Sequence, residues 1–265
     1  MNGLCRFPSL SASQAFLSVL RRCCLVAAMV SCSVSCAQEE QLLFRTNWQD
    51  GLDPRFGVQA NRGDLSIVDN PSDANTKALQ ATIRLAEDFS RVENGVPRAE
   101  LLFPAPVRFA QGKTYHIRWS TMLPPGVQFD SRQLVVIMQI NQGSWLGAPT
   151  VALALQGKQY AISQHGGAQH DTVSAGKWVH GAGADTGKWV HWELIYRPQD
   201  DGTNAVTQLR RDGELVFLAQ GKSNAYPGVQ NAYLKLGLYK PDWQKKATDV
   251  ATVSVLYGPV TVSRE

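Results

Sequence analysis

Cysteine is missing from most of this chain. The 265 residues include five cysteines, and all five lie within the first 36 positions, at Cys5, Cys23, Cys24, Cys32 and Cys36. The rest of the chain has no thiol, so neither a disulfide nor a zinc site with cysteine ligands can stabilise its fold. A hydrophobic core must do so, and an apolar fraction of 44% is sufficient to form one.

Acidic residues are missing from positions 1–37, which contain three arginines. An apolar run over 23–30 follows the arginines, and small residues over 33–37 precede the first polar stretch. This order is typical of a secretory signal, and the run is too short to span a bilayer as a helix. We predict a signal peptide over 1–37 and a secreted or periplasmic protein. Cys36 lies in a poor lipoprotein box, so lipid anchoring is not expected.

Excess charge is also small. Without the three arginines, 23 basic residues face 22 acidic ones, a net charge of +1 instead of +4. This balance gives no reason to expect a nucleic-acid partner, which requires a concentrated basic surface. No phosphate-binding Gly-x-x-x-x-Gly-Lys-[Ser/Thr] motif occurs. No Gly-rich or Pro-rich linker divides residues 38–265, so we predict a single domain. We also expect a monomer without an integral membrane span.

Helical periodicity is nearly absent after residue 38, where the apolar residues alternate with period two and turn residues recur about every ten positions. Many short strands around a core predict an all-β antiparallel sandwich or barrel. A local duplication places Gly-Lys-Trp-Val-His at 176–180 and again at 187–191, and we expect only the second copy to be a core strand. The predicted strands are 41–46, 64–69, 77–84, 98–103, 114–122, 134–141, 150–155, 188–197, 205–211, 214–218, 233–239 and 251–257.

Three of these strands place polar groups on one face. Strand 233–239 has three leucines on one face and two tyrosines, Lys235 and a glycine on the other. Strand 98–103 similarly places Arg98 and Glu100 opposite apolar residues. Strand 134–141 is apolar until its end, where the amides of Gln139 and Asn141 fall on one side. Each pattern alone is common on an exposed sheet face, but all three together are unusual for a purely structural surface.

Together these segments resemble the jelly-roll polysaccharide lyases, which include alginate lyases and lyases of the glucuronan and heparin lyase I type. Arg98-Ala-Glu-Leu101 is similar to the family's Arg-[Ser/Thr/Ala]-Glu-Leu strand, Gln139-Ile-Asn141 to its Gln-x-His strand, and Tyr233-Leu-Lys-Leu-Gly-Leu-Tyr239 to its Tyr-x-Lys-x-Gly-x-Tyr strand. The resemblance covers about residues 90–260 in the family's order. It implies a concanavalin A-like jelly-roll β-sandwich with a concave substrate cleft.

The resemblance also implies β-elimination on an acidic polysaccharide that contains uronic acid. Tyr239 would remove the C5 proton and protonate the leaving O4, while Arg98, Gln139 and Asn141 would stabilise the charge that develops on the substrate carboxylate. A free tyrosine, with a pKa of about 10, is a poor base at neutral pH, and we expect the cations Lys235 and Arg98 to lower its pKa. The residues expected to bind substrate are Glu100, Tyr233 and His191.

Asn141 departs from the family pattern, which often has histidine there. In the family, histidine is the base when H5 and O4 leave from opposite faces, and tyrosine alone can serve when both leave from one face. The departure therefore predicts syn-elimination on β-D-glucuronate or β-D-mannuronate rather than L-guluronate. Another histidine could restore the base, and the candidates are His116, His165, His170, His180 and His191.

Two other functions fit the same fold. A glycoside hydrolase needs two carboxylates flanking the bond, about 5–5.5 Å apart for retention, and no strand here has a Glu-x-Asp-x-Glu or similar pattern. A non-catalytic, lectin-like carbohydrate-binding domain would use the same face to stack sugars. No cofactor is required for the lyase, and no zinc pattern exists. Asp50, Asp53 and Asp249 are possible ligands of a structural calcium ion, without a recognisable spacing.

Overall fold

The computed structural model describes residues 40–142, 147–168 and 173–265. The predicted signal peptide, Cys36 and His170 lie outside these residues. Within them the chain is nearly all β, with one short 3-10 helix, Ala182–Asp185. Every pair of neighbouring strands in the two sheets is antiparallel, which confirms the all-β prediction. No helix long and apolar enough to cross a membrane occurs in the described residues.

One sheet has nine strands in the described residues. Its main path runs β13-β12-β11-β6-β15-β4-β3, and β16 pairs with both β1 and β6. The bounds of the nine strands are β1 Gln41–Thr46, β3 Leu65–Asn70, β4 Asp73–Arg84, β6 Tyr115–Met122, β11 Trp189–Arg197, β12 Val206–Arg211, β13 Glu214–Gln220, β15 Thr252–Tyr257 and β16 Val260–Arg264.

The other sheet has seven strands in the same part of the chain, in the order β10-β9-β8-β7-β14-β5-β2. Sequence-distant strands are neighbours here, because β14 lies between β5 and β7. The bounds of the seven strands are β2 Gly57–Gln59, β5 Arg98–Leu102, β7 Val135–Asn141, β8 Val151–Gln156, β9 Gln159–His165, β10 Val173–His180 and β14 Tyr233–Tyr239.

The core lies between the sheets and contains the faces that the sequence pattern predicts as apolar. The three leucines of β14 are buried there, together with Ala99 and Leu101 of β5. Trp119 of β6 and Trp192 of β11 stack on each other with ring centroids 6.2 Å apart. The opposite side of the seven-stranded sheet, which we call the outer face, therefore carries the alternate residues of each strand.

Four strands were missed by the pattern: β2, β9, β10 and β16. β2 has only three residues, too few to show a period. β10 contains the first copy of the duplicated segment and is an edge strand of the seven-stranded sheet, mostly exposed except at Val179. The second copy leads into β11, which lies between two other strands, so the expectation that only the second copy is a core strand is confirmed.

Irregularities occur where β7 and β14 meet. The register shifts between Val136 and Met138 in the pairing of β7 with β8, and between Leu236 and Tyr239 in the pairing of β14 with β7. Gly237 lies in the second irregularity with φ +137°, and a Cβ there would be 2.1 Å from the carbonyl oxygen of Ala99. The glycine is therefore required by the close approach of the β5 backbone, and not by a ligand.

Candidate active site

The polar faces of β5, β7 and β14 meet on the outer face of the seven-stranded sheet. Tyr239 is paired with Arg98 and Gly237 with Glu100 across β14 and β5. On the other side of β14, Lys235 is paired with Gln139. Residues directly opposite each other in an antiparallel pair project on the same face. The structure therefore brings together five of the residues that the sequence singles out.

The carboxylate of Glu100 is at the centre of this group, and it is almost completely buried. Its Oε1 accepts a short hydrogen bond from Nε2 of Gln139. Its Oε2 is 3.5 Å from both the Arg98 Nη1 and the Lys235 Nζ atoms. Arg98, Lys235 and Gln139 are also buried. Two cationic side chains thus share one carboxylate, and the formal charge of this buried group, which we call the Glu100 cluster, is +1.

Two members of the site were not found from the sequence. Gln59 of β2 is paired with Glu100, and its Oε1 accepts hydrogen bonds from Lys235 Nζ at 2.8 Å and Arg98 Nη1 at 3.3 Å. Asn94 Oδ1, in the turn before β5, accepts a hydrogen bond from Arg98 Nη2 at 2.8 Å. Neither residue belongs to a recognisable motif, and only the pairing of β2 with β5 brings Gln59 to the cluster. These contacts hold both cations in fixed positions.

The two tyrosines of β14 lie over the cluster. The Arg98 guanidinium carbon is 4.5 Å from the ring centroid of Tyr239, close enough for a strong cation–π contact. The Lys235 ammonium is 6.0 Å from the ring of Tyr233, and the guanidinium of Arg108 is 5.6 Å from the same ring. Both tyrosines are half-buried. Arg98 and Lys235 therefore each contact one aromatic face as well as Glu100, whereas Arg108 contacts the Tyr233 ring only.

The tyrosine prediction needs a correction in its electrostatics. Burial raises the pKa of the Tyr239 phenol, and the nearby carboxylates of Glu100 and Asp242 raise it further. Arg98 lowers this pKa, as predicted, but burial outweighs it. The expected contribution of Lys235 is wrong, because its ammonium contacts Glu100, Gln59 and Tyr233 instead. Burial lowers the pKa of Lys235 itself, and Glu100 opposes this effect.

Asn141 lies at the far end of β7, paired with Tyr233 and half-buried. It is two residues beyond Gln139 on the same outer face, about 7 Å along the strand. Asn141 is therefore a neighbour of Tyr233 across the two strands, and Gln139 is a neighbour of Lys235. Tyr239 is at the other end of β14, where its strand neighbour on β7 is Val136.

His191 is not part of this group. It is exposed on β11 of the nine-stranded sheet, paired with Ser120, so its predicted place beside the other substrate-binding residues is wrong. A depression of about 380 Å³ lies beside it, lined by Arg118 and Arg210 among others. His191 lies away from the Glu100 cluster because the second Gly-Lys-Trp-Val-His copy leads into β11, whose neighbours are β6 and β12 of the nine-stranded sheet.

Two further histidines belong to the seven-stranded sheet. His165 ends β9, is buried, and its Nδ1 is 3.0 Å from the carbonyl oxygen of Pro149. His180 ends β10 at the sheet edge. His116 is on the nine-stranded sheet, where its Nε2 is 2.9 Å from Glu265. None of these three is paired with a residue of the Glu100 cluster.

The three suggested calcium ligands are not brought together. Asp53 forms an ion pair with Arg55 at 2.5 Å, and Asp249 forms one with Arg132 at 2.7 Å. Within the described ranges, no group of three or more His, Cys, Asp or Glu side chains could hold a metal ion. Asp53 and Asp249 thus each pair with a different arginine, and a structural calcium ion at the three aspartates stays a prediction.

Several solved structures are similar to this chain. The endo-β-1,4-glucuronan lyase from the fungus Trichoderma reesei matches with a TM-score of 0.66 and 19% identity, over 84% of this chain and 95% of that one. Alginate lyase A1-II′, a member of polysaccharide lyase family 7, matches with a TM-score of 0.53 and 15% identity, over 78% and 85%. The alginate lyase AlyA1 from Zobellia galactanivorans matches with a TM-score of 0.51 and 12% identity, over 78% and 82%.

These similarities confirm the predicted jelly-roll fold. No curated protein matches the chain at a significant level. A family model described as "Polysaccharide lyase" matches residues 38–257, which include every strand of the seven-stranded sheet. Because this match spans well over half of the sequence, the chain belongs to the polysaccharide lyase family.

Proposed function

We propose that this protein cleaves a polymer of β-1,4-linked D-glucuronate or D-mannuronate by syn β-elimination on the outer face of the seven-stranded sheet. The observation that carries the proposal is the Glu100 cluster, a buried group with a formal charge of +1 directly beneath Tyr239. A buried excess charge is costly unless it is compensated. An anionic sugar bound over the cluster supplies that compensation, and a neutral polysaccharide does not.

The reaction requires one group that both removes and returns a proton. The phenolate oxygen of Tyr239 takes the C5 proton, the electrons of the C5–H bond form the C4=C5 double bond, and the C4–O4 bond breaks. The resulting phenol then gives its proton to the leaving O4. No water is consumed, and the products are a new reducing end, whose anomeric hydroxyl retains the former O4, and a 4,5-unsaturated uronate at the other end. Asn141 cannot take up a proton, which supports a single tyrosine in both roles and hence a same-face elimination.

Negative charge on the substrate carboxylate increases as the C5 proton leaves. Arg98 and Lys235 stabilise this charge through the positive field of the Glu100 cluster, in a buried setting where solvent screens it little. Arg98 already donates to Asn94, Gln59 and Glu100, so its hydrogen bonds are preorganised rather than formed during the reaction. Gln59 and Asn141 are half-buried on this face, and we propose that their amides donate to the sugar.

We also propose that the enzyme acts outside the cytoplasm as a monomer, after removal of residues 1–37. The basic, apolar and small-residue order of that segment supports export. Mass spectrometry of the mature protein tests the cleavage after Ala37. A mature form that retains the segment, or carries lipid on Cys36, contradicts it.

The test of the reaction uses glucuronan, polymannuronate, polyguluronate and heparin as substrates. Elimination conjugates a new double bond with the carboxylate, so product formation is followed by ultraviolet absorbance. We expect turnover of glucuronan or polymannuronate, and Tyr239→Phe should lower kcat by at least about 10²-fold while retaining binding. Faster cleavage of polyguluronate contradicts the syn mechanism. Binding of a polymer without any chromophore supports the lectin-like alternative instead.

A further inference from the structure

An exposed tryptophan lies on the same face as the Glu100 cluster, at the edge of the sheet. Trp178 of β10 is 51% exposed and is paired with Ala161 of β9. The next residue along β10, Val179, is buried in the core, so Trp178 projects from the outer face. A single exposed apolar residue is ordinary on a protein surface, so the position of Trp178 relative to the Glu100 cluster, and not its exposure alone, suggests a binding role.

The strand register connects Trp178 to Tyr239 in a single row across the sheet. Tyr239 of β14 is paired with Val136 of β7, Val136 with Ala154 of β8, Ala154 with Ala161, and Ala161 with Trp178. The row has an aromatic side chain at each end and short aliphatic ones between. Four steps between neighbouring strands give a separation of about 19 Å between the two end residues.

The adjacent row has the same character. Lys235 of β14 is paired with Gln139, Gln139 with Ala152, Ala152 with Ser163, and Ser163 with Gly176. The last three residues of this row, Ala152, Ser163 and Gly176, have small side chains or none. The two rows together form a floor of short side chains that runs from the Glu100 cluster to Trp178. Val136, Ala152 and Ala154 are themselves nearly buried, so a linear polymer would lie above these short side chains and the side chains that flank them.

We propose that Trp178 forms a distal subsite in which its indole ring stacks on a pyranose ring of the same uronate polymer, an inference that rests on the proposed function. The spacing of β-strands is close to the length of one pyranose residue in a 1,4-linked chain. A polymer crossing the strands from Tyr239 therefore reaches Trp178 after about four sugar residues. His180, two residues beyond Trp178 on the same face of β10, is exposed, and the strand has no acidic residue, which suits an anionic polymer.

The experiment compares Trp178→Ala, Trp178→Phe and the matched control Leu218→Ala. Leu218 is 46% exposed on β13 of the nine-stranded sheet, away from both rows. Affinities for 1,4-linked β-D-glucuronate and β-D-mannuronate oligomers, from trimer to octamer, are measured by calorimetry in a Tyr239→Phe background, so that no turnover occurs. In the same variants without Tyr239→Phe, kcat/KM is measured on the oligomers.

We expect affinity to increase between trimer and hexamer, and Trp178→Ala to reduce hexamer affinity by about tenfold, the loss of one aromatic contact. The defect should grow with oligomer length, Trp178→Phe should recover most of the affinity, and Leu218→Ala should match the parent protein. An equal defect at every length, or none, overturns the inference. A dimer that dissociates in Trp178→Ala also overturns it, because a second copy then covers the ring.

The two proposals fail in different ways. Length-dependent binding that requires Trp178, without any unsaturated product, refutes the lyase mechanism and retains the subsite. Unsaturated product whose rate has no dependence on Trp178 at any oligomer length retains the mechanism and refutes the subsite.

Discussion

Tyr257 connects the core to the two strands that carry the candidate site. It belongs to β15 of the opposite sheet and is fully buried. Its hydroxyl oxygen lies 2.8 Å from the carbonyl oxygen of Ile137 and 2.9 Å from that of Gly237. Both carbonyls belong to the irregular segments of β7 and β14, where the register shifts. We therefore expect Tyr257 to be a positioning residue that maintains the directions of Gln139 and Tyr239.

The informative change is Tyr257→Phe, which removes the hydroxyl and keeps the ring. A buried carbonyl that loses its donor costs on the order of 1–3 kcal/mol. Because one hydroxyl proton serves one acceptor at a time, we expect the free energy of unfolding to fall by about 1–2 kcal/mol. Small displacements of reacting groups are costly, with about 10²-fold lost for 1 Å. We expect kcat to fall by about tenfold and KM to change little.

Tyr196→Phe is the matched control. The Tyr196 hydroxyl is also buried and donates to a backbone carbonyl, that of Asn224, at 2.6 Å. Tyr196 is paired with Tyr115, six residues along β6 from the residue paired with Tyr257, a distance of about 20 Å. Urea unfolding and steady-state kinetics on the preferred polymer are measured for both variants. Equal losses of kcat in both variants, or no loss in Tyr257→Phe despite reduced stability, would refute the positioning argument.

Two other predictions concern protonation. Burial raises the pKa of Tyr239, so the phenolate fraction, and with it kcat/KM, should increase about tenfold per pH unit from neutral pH to above pH 8. A plateau that begins below pH 8 contradicts tyrosine as the base. Burial and the neighbouring Glu87 raise the pKa of Asp64 from 3.8 to about 6, although Arg84 opposes them, so ionisation of Asp64 destabilises the fold as pH rises through that range. Asp64→Asn should therefore stabilise the protein by on the order of 1 kcal/mol above pH 6 and lose this advantage towards pH 4. Urea unfolding of both proteins at several pH values measures the difference, and a difference that does not change with pH contradicts destabilisation by the ionised Asp64.

Much of the fold follows from the period-two pattern. Alternation alone predicts that the leucines of β14 enter the core and that Lys235 and the two tyrosines lie on the other face. It predicts β1 and β14 at their observed bounds. It fails for β2, which is too short, and for β10, an edge strand that buries little. Apolar alternation reflects burial of one face of a strand, and β10 at the sheet edge buries only Val179.

The period-two pattern and the family resemblance predict only part of the candidate site. Arg98, Glu100, Gln139 and Lys235 were singled out as residues that contact substrate, and the structure adds that they contact one another, with Glu100 at the centre. The direction of the Tyr239 pKa could not be foreseen, because it depends on how much solvent the surrounding chain removes from the phenol. The sequence also groups His191 with the site, wrongly, because a local pattern does not indicate which sheet a strand joins.

The sequence by itself determined the class of fold, the inward and outward faces of most strands, and the polar residue types that suit an acidic sugar. These properties are local, because successive side chains of a strand alternate whatever its neighbours are. Only the tertiary structure decided which strands are adjacent. It placed β14 between β5 and β7, brought Gln59 to Arg98 and Lys235, and aligned Trp178 with Tyr239 across five strands. Those contacts depend on long-range pairing, which no local period encodes.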